Sequence, residues 1–264
     1  MDIIKCKICG SITRGIFNAQ ILCKYNVKYH YCDDCGFLQT EYPFWLKESY
    51  QDSINLSDTG LISRNLYLSK VTAIIIYFMF DKNARFLDFA GGFGILVRLM
   101  RDIGFDFYWN DLYTKNLFAR GFANETNKKV ELITCFEAFE HFVEPLEEIE
   151  TMMKISKNIV FSTVILPNSI PKPHEWWYYG LEHGQHISFY SMRTLRYLAK
   201  KYGLNFYSMN GIYMLTEKNL NPLILKLLVR LHNLGLFEYV LKNMKSKTFE
   251  DMQNICIKLN RSKA

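Results

Sequence analysis

Two short segments carry cysteines at a spacing that suits a metal. Cys6-Lys-Ile-Cys9-Gly10 and Cys32-Asp-Asp-Cys35-Gly36 are each a Cys-x-x-Cys turn followed by glycine. Such a turn brings two thiolates to one point, and the glycine relieves the tight backbone. Two turns complete a tetrahedral four-sulfur set, which suits zinc. No ligand position is left for water, so the role predicted for Cys6, Cys9, Cys32 and Cys35 is structural. A redox dithiol is the competing reading of a single Cys-x-x-Cys pair, and two matched turns argue against it. Cys23, Cys135 and Cys256 stand alone and read as core or surface thiols.

Three other stretches have residues that could bind or react. Phe86-Leu87-Asp88-Phe89-Ala90-Gly91-Gly92-Phe93-Gly94 reads as a strand, a glycine-rich turn and a helix start. That turn lets backbone approach a ligand, and the helix N-terminus faces it. Its spacing is not the G-x-G-x-x-G of a dinucleotide site. Asp111 follows Asp88 at a distance that suits the end of the next strand, where a carboxylate accepts two hydrogen bonds from a cis-diol. Capping its own loop is the alternative. In Cys135-Phe136-Glu137-Ala138-Phe139-Glu140-His141 the spacing predicts Glu137, Glu140 and His141 on one helical face, unless the last two only line or cap the segment. Finally, Trp176-Trp177-Tyr178-Tyr179-Gly180-Leu181-Glu182-His183-Gly184-Gln185-His186 combines aromatic rings with two imidazoles. Aromatic faces stack on sugars and other flat ligands. His183 and His186 offer neutral imidazoles near physiological pH, and Glu182 can orient either one. The alternative is that these groups hold a long loop together, with Trp176 and Trp177 in the core.

The acid-x-small-x-Gly-x-Gly spacing from Asp88 to Gly94 resembles motif I of class I S-adenosylmethionine-dependent methyltransferases, which usually place glycine where this chain has Ala90. The resemblance implies that Asp88, Ala90, Gly91, Gly92, Gly94 and Phe136 line the cofactor, that Asp111 holds its ribose, and that S-adenosylhomocysteine is the product. The Glu137-to-His141 stretch resembles the E-x-x-E-H of small-molecule methyltransferases, including ubiquinone-pathway O-methyltransferases. In those relatives it can hold a divalent cation, which implies a candidate site at Glu137, Glu140 and His141. His186-Ile-Ser-Phe-Tyr-Ser resembles the end of a His-Glu-His-x-Ser-Tyr-Phe-Ser stretch in zinc-containing deoxysugar C-methyltransferases. On that match His186 falls on the active-site histidine, and His183 matches less cleanly. The resemblance covers about residues 57–216. With the zinc knuckle, it points to the subgroup found in bacterial deoxysugar and surface-polysaccharide pathways.

The elements that must position these residues read as α/β. A helix over 57–80 leads into strands at Arg85–Phe89, Phe105–Trp109, Glu131–Phe136 and Asn158–Leu166. Helices at Phe93–Ile103 and from Pro145 to about Ser156 lie between them. No clear strand is legible over Leu117–Asn127, so the adenine contacts cannot be assigned. Ser191 caps a helix ended by Gly203, and Asn210-Gly211 signals a hairpin between Phe206–Met209 and Ile212–Leu215. Residues 222–244 read as one long helix. The expected fold is therefore a Rossmann-like sheet ending in an antiparallel hairpin. The expected organisation is a zinc-knuckle module (1–45), a connecting helix (46–80), a cofactor domain (81–216) and a C-terminal helical extension (217–264).

The net charge is +6, and Lys218–Ala264 alone holds nine Lys/Arg against three Asp/Glu. A solvated basic face is the ordinary explanation, and nucleic acid is not the expected partner. The apolar run Val71–Phe80 is too short to span a bilayer, and no secretory signal is legible. The expectation is a cytoplasmic protein, with peripheral membrane contact or a dimer face as alternatives for the 222–244 helix. The function expected is O-methylation of a sugar, a nucleotide sugar or a capsule or lipopolysaccharide constituent. The base would be His186, His183 or His141, with Glu140 beside them and Trp176, Trp177, Tyr178, Tyr179 and Glu182 on the acceptor. The Asn/Asp-Pro-Pro-aromatic tetrapeptide of base-amine methyltransferases is absent from its expected position. Competing readings are C-methylation of a keto-deoxysugar, RNA methylation, and a non-catalytic zinc-containing binding module.

Overall fold

The computed structural model describes residues 3–51, 54–124 and 128–261. The chain divides into two compact units, residues 1–58 with 135–218, and residues 59–134 with 219–264.

The first unit begins with strands β1 (Arg14–Ile21), β2 (Tyr25–Tyr31) and β3 (Leu38–Thr40) and the short helix α1 (Leu46–Ser49). The second opens on helix α2 (Leu61–Met79) and continues with β4 (Arg85–Phe89), α3 (Ile95–Ile103) and β5 (Asp106–Asn110). Strand β6 (Leu132–Phe136) runs through the division. Then α4 (Pro145–Ile155), β7 (Ile159–Ser162), β8 (Ser188–Phe189), α5 (Met192–Tyr202), β9 (Asn205–Met209) and β10 (Ile212–Thr216) complete the first unit. Helices α6 (Pro222–Arg230), α7 (Leu236–Asn243) and α8 (Thr248–Arg261) return to the second.

A six-stranded sheet has the order β5-β4-β6-β7-β10-β9. Strand β4 pairs in parallel with β5 and β6, and the last two strands form the antiparallel hairpin expected at Asn210-Gly211, both at positive φ. Local chemistry accounts for the helix ends. Pro145 opens α4, whose first turn needs no donor there. Ser191 and Thr194 form the reciprocal cap of α5, and Gly203 ends it in the left-handed region.

Strand β7 stops at Ser162, short of the predicted Leu166. From there the Thr163 hydroxyl turns to the Tyr178 hydroxyl (3.1 Å), and the Leu166 N–H donates to Tyr190 O (2.9 Å). Within 117–127 the described residues make one parallel bridge, Trp109 to Ala123, and residues 125–127 lie outside the described chain. The helix predicted over 222–244 is broken by a 3-10 turn at Leu231–Asn233 and by Gly235 at φ +86°, which resets the axis into α7. Helices α6 and α7 pack on α2. Among the described residues no helix is long and apolar enough to cross a membrane.

A second sheet, β1-β2-β3-β8, joins the cysteine-bearing segment to the histidine loop. Its core is aromatic: Tyr29, Trp45, Tyr178, Tyr179 and Phe189 are all buried. Burying rings of this size contributes roughly 1.5–3 kcal/mol each, so the loop over 167–190 is anchored by packing as well as by β8.

Candidate functional site

In the second unit, Asp88 lies opposite Thr134 in the β4–β6 register and accepts a hydrogen bond from its hydroxyl (2.6 Å). The carboxyl is 3% exposed, and burial lifts its pKa to about 7, opposed by the Thr134 bond and reinforced by the charge of Asp111. The glycine turn follows. Ala90 sits at φ +57°, which explains why a residue without a side chain is favoured there. A Cβ on Gly91 would lie 2.8 Å from Asp88 Oδ2, whereas one on Gly92 would meet nothing within 4 Å. Backbone at Gly92 is therefore open where a side chain would project. Two groups pin the turn. Trp109 Nε1 donates to Gly92 O (2.8 Å), and the Gly92 N–H donates to Asp111 Oδ2 (2.9 Å). Asp111 Oδ1 accepts from the N–H groups of Tyr113 (2.8 Å) and Thr114 (2.7 Å). Asp111 is thus a loop cap here, and a carboxylate has further lone pairs for a diol. Thr134 and Trp109 were not singled out in the sequence, because nothing local marks a strand hydroxyl or an indole as the support of a turn.

In the first unit, Glu140, His141 and His186 each bring one potential ligand atom to within 4.8 Å of the others. Backbone pairing assembles them. The Ile187 N–H donates to Glu140 O (2.9 Å), and the Ser188 and Tyr190 hydroxyls donate to Phe142 O and Phe139 O (2.8 and 3.1 Å). The segment after β6 is thereby tied to the segment entering β8. His141 Nδ1 donates to Gln185 O (3.1 Å) and lies 3.0 Å from the Tyr50 hydroxyl. His186 Nδ1 donates to Tyr178 O (2.6 Å). Because carbonyls only accept, both Nδ1 atoms carry the proton, and each Nε2 keeps its lone pair. His183 has the opposite tautomer, its Nδ1 accepting from the Gln185 N–H (3.1 Å). The His186 ring lies 4.9 Å from that of His141 and 4.8 Å from that of His183.

Burial dominates the electrostatics of this cluster. It lowers His141 to about 4 and His186 well below the ordinary imidazole value, with neighbouring imidazole charge adding to both effects. His183 is lowered by burial against the opposing charges of Glu182 and Asp58. Glu140 is 0% exposed, and burial, then the charge of Glu137, raises it to about 8. The hydroxyls of Tyr178 and Thr163 oppose that rise, though neither carboxyl oxygen has a well-formed hydrogen bond.

Two expectations are corrected. Glu137 does not share a helical face with Glu140 and His141. It sits at φ +49° before a single 3-10 turn, Phe139–His141, and its carboxylate accepts the Ser162 hydroxyl (2.5 Å). Nor do Tyr178 and Tyr179 present faces to a ligand, since both rings are buried in the aromatic core. Trp176 packs against the same rings, while Trp177 is 76% exposed and Glu182 is exposed. Phe136 ends β6, half-buried. Tyr50 and Gln185, which orient His141 and His183, were not foreseen. Tyr50 and Gln185 are far from His141 in sequence, and neither carries a motif.

The four cysteines meet as expected. Cys6 and Cys35 sulfurs are 3.5 Å apart, Cys9 and Cys32 sulfurs 3.4 Å, and all four lie within 4.8 Å of one another. Tetrahedral zinc with bonds of about 2.3 Å separates its sulfurs by about 3.8 Å, so the set is compatible with a structural zinc. The crowding prevents equal ionisation. The bond from Cys35 lowers Cys6 to about 5, while that bond and burial raise Cys35. The Thr194 hydroxyl donates to Cys35 O (2.9 Å), fastening the knuckle to the cap of α5.

A family model described as a methyltransferase domain matches residues 64–208. That is more than half of the chain, and the chain belongs to this family. With the sheet order and glycine turn described above, it is a class I, Rossmann-like, S-adenosylmethionine-dependent methyltransferase. No curated protein matches it. Among solved structures, it is similar to magnesium protoporphyrin IX methyltransferase from Synechocystis PCC 6803 with bound S-adenosylhomocysteine. That match has 10% identity and TM-score 0.43 and covers 64% of this chain and 90% of that one. It is also similar to the plantazolicin methyltransferase in complex with a pentazolic desmethyl analogue and S-adenosylhomocysteine (14% identity, 76% and 86% covered, TM-score 0.46). A third is an O-methyltransferase family 2 protein from Planctomyces limnophilus in complex with apigenin (12% identity, 62% of each chain covered, TM-score 0.41). Likenesses at these TM-scores do not reach to substrate.

Proposed function

We propose that this chain transfers a methyl group from S-adenosylmethionine to a hydroxyl of a sugar, either nucleotide-linked or a constituent of a capsule or lipopolysaccharide. The observation that carries this reading is the buried cluster of Glu140, His141 and His186, whose imidazoles are neutral and keep their Nε2 lone pairs. S-adenosylmethionine supplies an electrophilic methyl on its sulfonium, so the protein needs only to align the acceptor and take its proton. His186 Nε2 is the proton acceptor in the metal-free cluster, with His141 beside it. The tautomer of His183 leaves its Nε2 protonated and suits it to donate a hydrogen bond to the acceptor. Trp177, the most exposed ring of the loop, offers a face for a sugar, with Trp176 and Glu182 nearby in the chain. On the cofactor side, Asp88, the turn Ala90–Gly94 and Phe136 line the ligand, and the remaining lone pairs of Asp111 hold the ribose. A structural zinc at the four cysteines braces the β1-β2-β3-β8 sheet.

The test is to incubate the purified chain with S-adenosylmethionine and pooled nucleotide sugars, following S-adenosylhomocysteine and products by mass spectrometry. A sugar that gains one methyl is expected. His186→Ala should lower turnover about 10²–10⁴-fold while S-adenosylhomocysteine binding is retained. Cofactor turnover with RNA or protein but with no sugar, free or polymeric, would overturn the acceptor. One rival uses the same cluster at a carbon acid, C-methylation of a keto-deoxysugar, which the likeness around His186 favours. Exchange of substrate α-protons into deuterated water would identify it.

A further inference from the structure

We infer that the outward face of helix α6 docks on an anionic bilayer surface. Successive residues of a helix turn by about 100°, so Leu223 and Leu227 form a ridge on the side opposite Leu225, Leu228 and Val229. Those three are buried, and α6 packs on α2. The ridge is not covered: Leu223 is 74% exposed and Leu227 is 54% exposed. Ile224 beside them is exposed too, as is Leu234 past the 3-10 turn. A surface helix that packs through one face ordinarily turns polar residues to the other. Here the outer face is also apolar, and two leucines one turn apart make a contiguous strip, not a scattered residue.

The charges beside the ridge select its occupant. Lys226 and Arg230 flank it, one turn apart and both exposed. From Lys218 to Phe237 the chain has no Asp or Glu. A second copy seated here about a two-fold axis would set Lys226 and Arg230 against their own kind, with no acid in the segment to pair them. An anionic bilayer meets both halves of the face. The leucines enter the acyl boundary, while the long basic side chains lie along it and hold their charges at the lipid phosphates. At nine residues α6 is about 13 Å long, which suits lying in the interface and not spanning it. Asn221 caps its first turn by accepting from the N–H groups of Leu223 and Ile224 (2.9 and 3.3 Å). The helix is therefore ordered before it meets lipid, which lowers the entropy cost of docking.

Co-sedimentation of the full chain with vesicles tests this. The wild type should bind vesicles of equal parts phosphatidylglycerol and phosphatidylcholine at least about tenfold more tightly than phosphatidylcholine alone, and added salt should weaken that binding. Leu223→Gln with Leu227→Gln should weaken it by at least about tenfold. Lys226→Gln with Arg230→Gln should weaken it by about thirtyfold on the anionic vesicles and leave the weak binding to phosphatidylcholine unchanged. All four side chains are exposed, so both double variants should keep the wild-type urea midpoint. No binding of the wild type to the anionic vesicles would overturn the proposal. So would binding indifferent to the leucine pair, which would assign it to the basic chain at large. A wild-type dimer that the leucine pair makes monomeric in sedimentation velocity, with no vesicle binding, would give the face to a second copy. Docking is read without methyl transfer, so a chain that binds vesicles and methylates no sugar would overturn the acceptor and leave the docking face standing.

Discussion

Each unit of the molecule buries charged side chains, and it treats them in opposite ways. In the second unit Arg101 is 4% exposed and Asp251 is 3% exposed. The guanidinium forks onto the carboxylate at 2.8 and 2.7 Å, and its remaining donors reach Asp106 and the Phe107 carbonyl. Arg98 adds a further bond to Asp251. Against the upward push of burial, these two arginines hold Asp251 below the usual carboxylate range. In the first unit Glu140 is just as deeply buried, yet it has no cation beside it, only the opposing hydroxyls of Tyr178 and Thr163, and its pKa is pushed up. The first arrangement closes on itself and fastens α8 to α3. The second leaves the acid without a charged partner, beside the imidazoles of His141 and His186. Burial alone does not separate structure from function here. Pairing with a cation is what sets Asp251 apart from Glu140.

The largest effect should come from breaking the closed arrangement. Asp251→Ala leaves the buried Arg101 with Asp106 as its remaining carboxylate and two of its donors unmet, and should cost about 3 kcal/mol in urea denaturation. Glu140→Gln should cost nothing at neutral pH and should gain on wild type as pH rises from about 5 to about 8, because the wild-type carboxyl must take up a proton on folding there and the amide need not. Equal losses for the two would erase the distinction.

A pH dependence sharpens the contrast further. Burial raises Asp88 from 3.8 to about 7. Between those values the folded chain keeps a proton that the unfolded chain has released. The resulting stability is complete below about 3.8 and is lost as pH rises through about 7. Asp88→Asn lacks that slope, so its stability relative to wild type should improve from about pH 5 to about pH 8. Denaturation midpoints at the two pH values check this. The smallest effect is expected at Ala90, whose left-handed backbone suits glycine. Ala90→Gly should gain roughly 0.5–1 kcal/mol and leave S-adenosylhomocysteine binding intact, as calorimetry would show.

Legibility in the sequence followed the range of the interaction. The strand Arg85–Phe89, the caps at Ser191 and Gly203, the Asn210-Gly211 hairpin and the glycine turn were all readable, since each is set by neighbours a few residues apart. The cysteine set was readable too, because its two turns share one chemistry wherever the chain brings them. By contrast, Glu137 and Glu140 look equivalent as letters. Only the φ +49° at Glu137 and its bond to Ser162 set them apart. The tyrosines of the 176–179 run likewise look available for stacking, and it is the pairing of β8 with β3 that turns them into core.

By itself, then, the sequence determined the α/β class, the glycine turn and the four-thiol knuckle, for propensity, turn chemistry and ligand type act locally. The tertiary structure alone decided that His186 joins Glu140 and His141, that Thr134 and Trp109 support Asp88 and the glycine turn, and that one buried acid is paired with arginines while another has no cation. Those outcomes depend on long-range backbone pairing, which brings together residues that no local spacing relates.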